Sequence, residues 1–196
     1  MRRNRPLAPV RGAGLTALAV LVAVGLAGCG GGSTDDADLG PMPDLPTTTP
    51  ALWNPCGGLD LDTMDERFGT SFSEATGTDS SPQCTFTPDE DGDVALDLNY
   101  SLYPGGLDDM FDTFGAVHDG AATTVATPSV DLADDARLVV DTTDGTLAVT
   151  GFVQTGDLVQ VVNAIQPEPF DEAGVRRGVV AVLADLAAYA DAEGAG

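Results

Sequence analysis

Lysine is absent from this 196-residue chain, and other basic residues are scarce. Eight Arg and one His stand against 31 acidic residues, which gives a formal net charge of −23. Such a surface repels the phosphates of nucleic acids and the anionic headgroups of lipids, so we expect no nucleic-acid partner. We expect most of the acids to form a solvated surface, which could also attract cations or a basic partner.

Side chains that commonly carry catalysis are few as well. The chain has no Gly-x-Ser-x-Gly, no His-Glu-x-x-His and no Gly-rich phosphate-binding loop. Its only histidine, His118, could serve as a ligand or a pH-sensitive group, although a surface histidine without such a role is the favoured interpretation. Carboxylates are so numerous that no particular pair stands out. We therefore predict that the protein is not an enzyme, has no catalytic residues and needs no cofactor.

One acidic stretch resembles the start of a calcium-binding loop. Asp89, Asp91 and Asp93 occupy alternate positions. The EF-hand loop needs Gly at position 6 and Glu at position 12, whereas this stretch has Gly92 at position 4 and Tyr100 at position 12. We therefore interpret the stretch as a solvated turn between two strands and predict no metal site.

Long apolar runs are missing too, since a membrane-spanning helix needs roughly 20 residues. The apolar run at 13–28 has only 16 residues, and it follows four Arg at positions 2, 3, 5 and 11. A basic segment followed by a short apolar one is typical of a signal peptide.

The apolar run ends in Leu26-Ala27-Gly28-Cys29, which closely resembles the bacterial lipobox. The resemblance implies that the Cys29 thiol receives a diacylglycerol, that the chain is cut before Cys29, and that the new amine is often acylated. A thiolate is the nucleophile that this modification needs. We predict a lipoprotein signal peptide at 1–28 and a lipid on Cys29 that anchors the protein at the outer, extracytoplasmic face of the cell membrane. The alternatives are an ordinary secretory signal and an uncleaved anchor.

A polar segment at 29–52 follows. It begins with the lipidated Cys29, three Gly and an acidic stretch, and it continues with four Pro and three consecutive Thr. Segments of this composition form flexible or extended spacers without a core, so we predict a disordered tether. The signal peptide holds four Arg and no acid, so its removal would leave a mature charge of −27.

The remaining cysteines, Cys56 and Cys84, form an even pair. Such pairs form disulfides in the oxidising compartments that exported proteins reach. Closing this loop would stabilise the fold by about 3–4 kcal/mol on the chain-entropy model. Two free thiols or a metal pair are the alternatives, although a zinc site needs more ligands than one His can add. We predict one disulfide, Cys56–Cys84, with the only Trp, Trp53, packed beside it; an exposed Trp that binds a ligand is the alternative.

Hydrophobic periodicity predicts a single α+β domain over 53–192. Short helices are indicated at 61–68 and 107–117, and a long C-terminal helix begins near Asp171 and runs to about Tyr189. Strands are expected at 83–86, 94–102, 123–126, 137–142, 146–154 and 158–164. Turn residues between the last three strands favour an antiparallel meander. The predicted fold is an antiparallel sheet packed against the long helix and the two shorter helices.

The domain also carries three short motifs. They are Asn54-Pro55-Cys56 before a short helix, Cys84 followed by the aromatic Phe86, and Asp134-Asp135-Ala136 ahead of paired strands. With the lipobox and the tether, they resemble the actinobacterial lipoprotein family known as domain of unknown function 3558. Phe86 stands where Trp is commoner in that family, and Gly57-Gly58 is a weak helix start. The resemblance spans about 53–189 and implies an exported α+β domain with one disulfide, but no established activity.

These observations favour a non-enzymatic binding or interaction module. Its ligand would be a protein or a small molecule on the extracytoplasmic side, which the sequence does not identify. The alternative is a carrier of an apolar small molecule or lipid, which would need an apolar cavity. An enzyme would need a concave pocket in which carboxylates converge with His118 or an Arg.

Overall fold

The computed structural model describes residues 52–114 and 123–195. The predicted signal peptide, the lipidation site Cys29, the tether up to residue 51 and His118 lie outside the described residues. Among the residues that are described, no helix is long and apolar enough to cross a membrane.

A short 3-10 helix, three α-helices and seven strands make up the described part of the chain. The 3-10 helix is Pro55–Gly58, and the α-helices are α1 (Leu61–Phe68), α2 (Gly106–Phe114) and α3 (Glu172–Ala192). The strands are β1 (Phe72–Thr78), β2 (Ser81–Pro88), β3 (Ala95–Leu102), β4 (Thr123–Ala126), β5 (Asp135–Asp141), β6 (Thr146–Thr155) and β7 (Leu158–Pro167).

The seven strands form one antiparallel sheet in the order β1-β2-β3-β7-β6-β5-β4. Consecutive strands are neighbours within β1–β3 and within β4–β7, so each half is a meander. The halves meet where β3 pairs with β7, from Ala95 opposite Ile165 to Leu102 opposite Leu158. The predicted fold class is confirmed: an antiparallel meander sheet lies against a long C-terminal helix, with two shorter helices and one disulfide.

Helix α3 covers one face of the sheet. Every second residue of β6 is buried, as expected for a strand with one face on a core. The helix approaches β6 closely at Gly151, where a Cβ atom would lie 2.7 Å from Cγ1 of Val179. Side chains fill the space between sheet and helix, and the fully enclosed ones include Phe86, Leu147, Val149, Val153, Val162, Val179, Val182, Leu183 and Leu186.

Helix α2 covers part of the opposite face. Leu107 packs there with Val159 and Val161 of β7. The amide of Leu107 donates to Oε1 of Gln154 at 2.9 Å, and Arg137 of β5 forms an ion pair with Asp108 at 2.7 Å. The predicted continuation of this helix to residue 117 lies outside the described residues.

Strand β1 departs from the sequence-based expectation. No strand is predicted before 83–86, whereas the structure has β1 at Phe72–Thr78, which forms a hairpin with β2 through a short turn. Only Phe72 of β1 is buried. An edge strand that buries one residue has no period-two pattern, because it is held by backbone hydrogen bonds rather than by an apolar face.

The start of the domain is fixed to the sheet and to α3. Cys56 and Cys84 form the predicted disulfide, with 5.3 Å between their Cα atoms. The ring of Trp53 lies against Tyr189 of α3, with 4.8 Å between ring centroids. Its Nε1 donates to Oε1 of Gln160 at 3.0 Å. Trp53 therefore contacts α3 and β7, and its predicted packing beside the disulfide stays a prediction.

Candidate functional site

An open groove runs between α3 and the loop that follows β4. Its volume is about 620 Å³, which lies within the usual range of small-molecule sites. Leu138 of β5 and Val180, Ala181 and Ala184 of α3 form its apolar lining, and residues 127–131 form the facing wall. The groove thus lies at the β4 edge of the sheet.

The helix side of the groove is formed by one face of α3. Arg177, Val180, Ala181 and Ala184 stand at i, i+3, i+4 and i+7, which places them on one face of α3. The two Ala side chains are too short to reach the facing loop, so the space between helix and loop remains open. By contrast, the face of α3 that meets the sheet carries the larger Val179, Val182, Leu183 and Leu186, and its core is filled.

The facing loop is held in place from behind. The amide of Asp134 donates to the carbonyl of Gln154 at 2.9 Å, and a carboxylate oxygen of Asp134 accepts from the amide of Gly156 at 2.7 Å. Between this fixed end and the groove, Leu132 has a φ of 63° and is 60% exposed. A non-Gly residue in the left-handed region is strained, and strain of this kind is frequent at binding surfaces.

Two arginines lie at one end of the groove. Arg176 forms an ion pair with Glu172 at 3.1 Å, one helical turn away. Arg177 is exposed, and within the described residues it has no ion-pair partner. Asp131, on the opposite wall, is the one acidic residue that lines the groove. The site therefore offers an apolar floor and an available guanidinium at its rim.

The chemistry of this lining suits binding. Its polar side chains are Thr127, Ser129, Asp131 and the two arginines. A surface with an apolar floor and a few polar groups at its rim recognises a ligand by shape and by charge.

A second concave region lies beneath α1. It is an open cleft of about 540 Å³ that includes Asp65, Asp89 and Asp93. These carboxylates hold the local backbone and side chains: Asp65 accepts from the amide of Phe72 at 3.0 Å, and Asp93 accepts from the hydroxyl of Thr70 at 2.5 Å. Within the described residues, no group of three His, Cys, Asp or Glu is placed to hold a metal ion. Asp65 and Asp93 therefore hold the local structure around the cleft.

The predicted turn at 88–93 falls between β2 and β3, as expected. Asp60, which precedes α1, also has a structural role, because its side chain caps this helix. The pKa of its carboxyl is lowered, first by the backbone amide of Thr63 and second by the hydroxyl of Thr63.

The residues predicted as sites have different outcomes. Cys56 and Cys84 are joined as predicted. Cys29 and His118 lie outside the described residues, so the predicted lipidation and the interpretation of His118 stay predictions. The groove was missed, because its lining comes from a helix and a loop that are distant in sequence. One signal was available: Arg176 and Arg177 are two of only four Arg that follow the predicted signal peptide.

No model of a known protein family matches this chain, and comparison with curated proteins finds no similar sequence. The resemblance to the actinobacterial lipoprotein family therefore stays a prediction.

Proposed function

We propose that this chain is an exported lipoprotein, anchored by a lipid on Cys29 at the outer face of the cell membrane, whose domain is a non-enzymatic binding module. In this proposal the ligand occupies the groove between α3 and residues 127–131. Membership of the actinobacterial lipoprotein family belongs to the same proposal and is supported by the motifs around Cys56 and Cys84.

Two features support export and anchoring. The lipobox-like Leu26-Ala27-Gly28-Cys29 follows a basic and then an apolar segment. The Cys56–Cys84 disulfide supports an oxidising environment outside the cytoplasm, since such bonds persist there and are rare in the cytosol. Lipidation would give Cys29 a role of its own, which leaves the disulfide pair as the remaining cysteines.

The groove supports the proposal that the domain binds a ligand. The core between sheet and α3 consists of tightly buried side chains, which favours the open groove as the site of an apolar ligand. The groove of about 620 Å³ combines an apolar floor with the available guanidinium of Arg177. A carrier of an apolar small molecule or lipid, the second candidate function, would use this same open groove.

The mass of the protein in cell fractions tests the anchoring. Cys29→Ala should leave the precursor uncut and without a lipid, so that it keeps the larger precursor mass, whereas Ser33→Ala, four residues beyond, should change neither cleavage nor lipidation. A Cys29→Ala protein that stays cut and membrane-bound would contradict the lipid anchor.

Site-specific photocrosslinking tests the binding. A photoreactive amino acid at Ser129, an exposed residue of the groove wall, should give an adduct in intact cells. The same amino acid at Ser73, an equally exposed residue on β1 at the other edge of the sheet, should give none. Equal adducts at both positions, or none at Ser129, would contradict binding at the groove.

A further inference from the structure

We propose that the groove binds an anionic amphiphile: a single alkyl or acyl chain that carries a carboxylate or a phosphate. The anionic head would lie at Arg177, supported by Arg176, and the chain would lie along Val180, Ala181 and Ala184. This inference rests on the proposed function, because it names the ligand class of the proposed binding groove.

The distribution of charge on the protein indicates an anionic head group for the ligand. A mature charge of −27 makes most of the surface repel anions, so an anion gains only where basic residues gather. Two of the four Arg beyond the predicted signal peptide are adjacent at one end of this groove. Glu172 already pairs with Arg176, whereas the guanidinium of Arg177 is available. A guanidinium binds carboxylate and phosphate with two parallel hydrogen bonds, which makes it suited to either head.

The apolar floor of the groove indicates an alkyl or acyl chain as the rest of the ligand. From Arg177 to Ala184 the groove follows α3 for seven residues, which is roughly 10 Å at 1.5 Å per residue. No charged side chain lines the helix side of the groove beyond Arg177, so a tail that extends away from the head meets Val180, Ala181 and Ala184. Leu138, which is 3% exposed, closes the floor from the sheet side. A chain of medium length therefore fits with its head at one end.

The size of the surface favours a small ligand over a protein. A stable protein interface buries about 800 Å² on each partner and involves roughly 20–30 residues a side. The groove is lined by twelve residues, on one helix, one loop and the two strands β4 and β5. A ligand with one head and one tail uses this lining fully, whereas a protein would need further surface around it.

Photolabelling of native membranes that contain the full protein tests the proposal. The probe is decanoic acid with a diazirine in its chain and a terminal alkyne, and labelled peptides are mapped by mass spectrometry. Labels should fall within 126–138 and 177–184. Unlabelled decanoate should compete, and octanoate should compete less well, by up to about fourfold for each methylene removed. Decyl phosphate, in a separate arm, decides between a carboxylate and a phosphate as the preferred head.

Variants locate the head and the tail separately. Arg177→Gln should weaken labelling by up to about fivefold, because it removes a charge-assisted pair at an exposed site, and Arg177→Lys should weaken it less. Arg67→Gln makes the same change of charge outside the groove and should leave labelling unchanged. Ala181→Leu should fill the groove and reduce labelling, whereas Ala188→Leu, on an exposed face of α3 outside the groove, should not.

Three results would overturn the proposal. They are labelling that falls only outside the groove, equal competition by decyltrimethylammonium, and labelling that is indifferent to Arg177→Gln and Ala181→Leu. Different results would contradict the proposed function of an anchored binding module. If the protein is missing from the membrane fraction, the anchor fails, and if Ser129 gives adducts that decanoate and decyl phosphate do not displace, the groove binds another class of ligand.

Discussion

The hydrogen bond between Trp53 and Gln160 should tie the start of the domain to its core. Gln160 is fully buried, at 0% exposure, and it lies on the face of β7 that meets α3. Its Oε1 accepts from Trp53 Nε1 at 3.0 Å, and its Nε2 donates to the carbonyl of Leu186 at 3.0 Å. Burying a side-chain amide without hydrogen-bond partners costs free energy. Both hydrogen bonds are therefore needed to offset the burial of Gln160 in the core.

Gln160→Leu keeps the volume but leaves Trp53 Nε1 without its acceptor. We expect the free energy of unfolding to fall by about 1–3 kcal/mol, the usual cost of an unsatisfied half-buried donor. The carbonyl of Leu186 should contribute little to this loss, because it lies inside α3 and the helix supplies its own donor. Trp53→Phe removes the donor itself, so the double variant should be less destabilised than the sum of the two by about 1 kcal/mol.

Urea unfolding followed by circular dichroism measures all four proteins of this cycle, since Trp53 is the only Trp and its substitution removes the fluorescence signal. Gln154→Leu serves as the matched control. Gln154 accepts from the amide of Leu107 and lies on the opposite face of the sheet, so its substitution should be additive with Trp53→Phe. Additivity within about 0.3 kcal/mol for the Gln160 pair would refute the coupling.

Two further predictions concern stability. Replacing both Cys56 and Cys84 by Ala should lower the free energy of unfolding by about 3–4 kcal/mol. The reason is that the disulfide no longer closes a loop between residues 28 positions apart, so the unfolded chain gains entropy. A loss below about 1 kcal/mol in urea unfolding would contradict that account. Asp60 has a lowered pKa, so its contribution is complete above the ordinary pKa of 3.8 and is lost as pH falls through the lower value of the folded state. Asp60→Asn should keep the cap and weaken the loss of stability between pH 5 and pH 2, as measured by unfolding at several pH values, and an unchanged acid profile would count against the assignment.

The elements that the sequence predicts well are those whose signal is local. Helix α1 has the bounds expected from its spacing, because Asp60 caps it and Gly69, at a φ of 71°, ends it. Strands β3 and β6 bury alternate residues, β5 and β7 contain runs of consecutive buried residues, and the turns between the last three strands contain Gly145 and Gly156 at positive φ. In each case the residues that decide the element lie within it or beside it.

What the sequence does not predict depends on tertiary packing. Strand β1 is defined by pairing with β2, and a polar edge strand leaves no pattern of its own. The groove depends on the distance between α3 and residues 127–131, which the sheet sets through β4 and β5. Short side chains such as Ala181 and Ala184 are equally common on packed faces, so their spacing alone does not distinguish an open groove from a close helix contact.

The start of the described domain and the groove lie beside different strands of the sheet. The chain enters the domain at Trp53 and Cys56, and Cys56 is bonded to Cys84 of β2. The groove lies beside β4, at the other end of the sheet order. Five strand spacings of about 4.8 Å put roughly 24 Å between β2 and β4. We expect anchoring and binding to be separable: substitution of Cys29 should affect the first alone, and substitution of Arg177 the second alone.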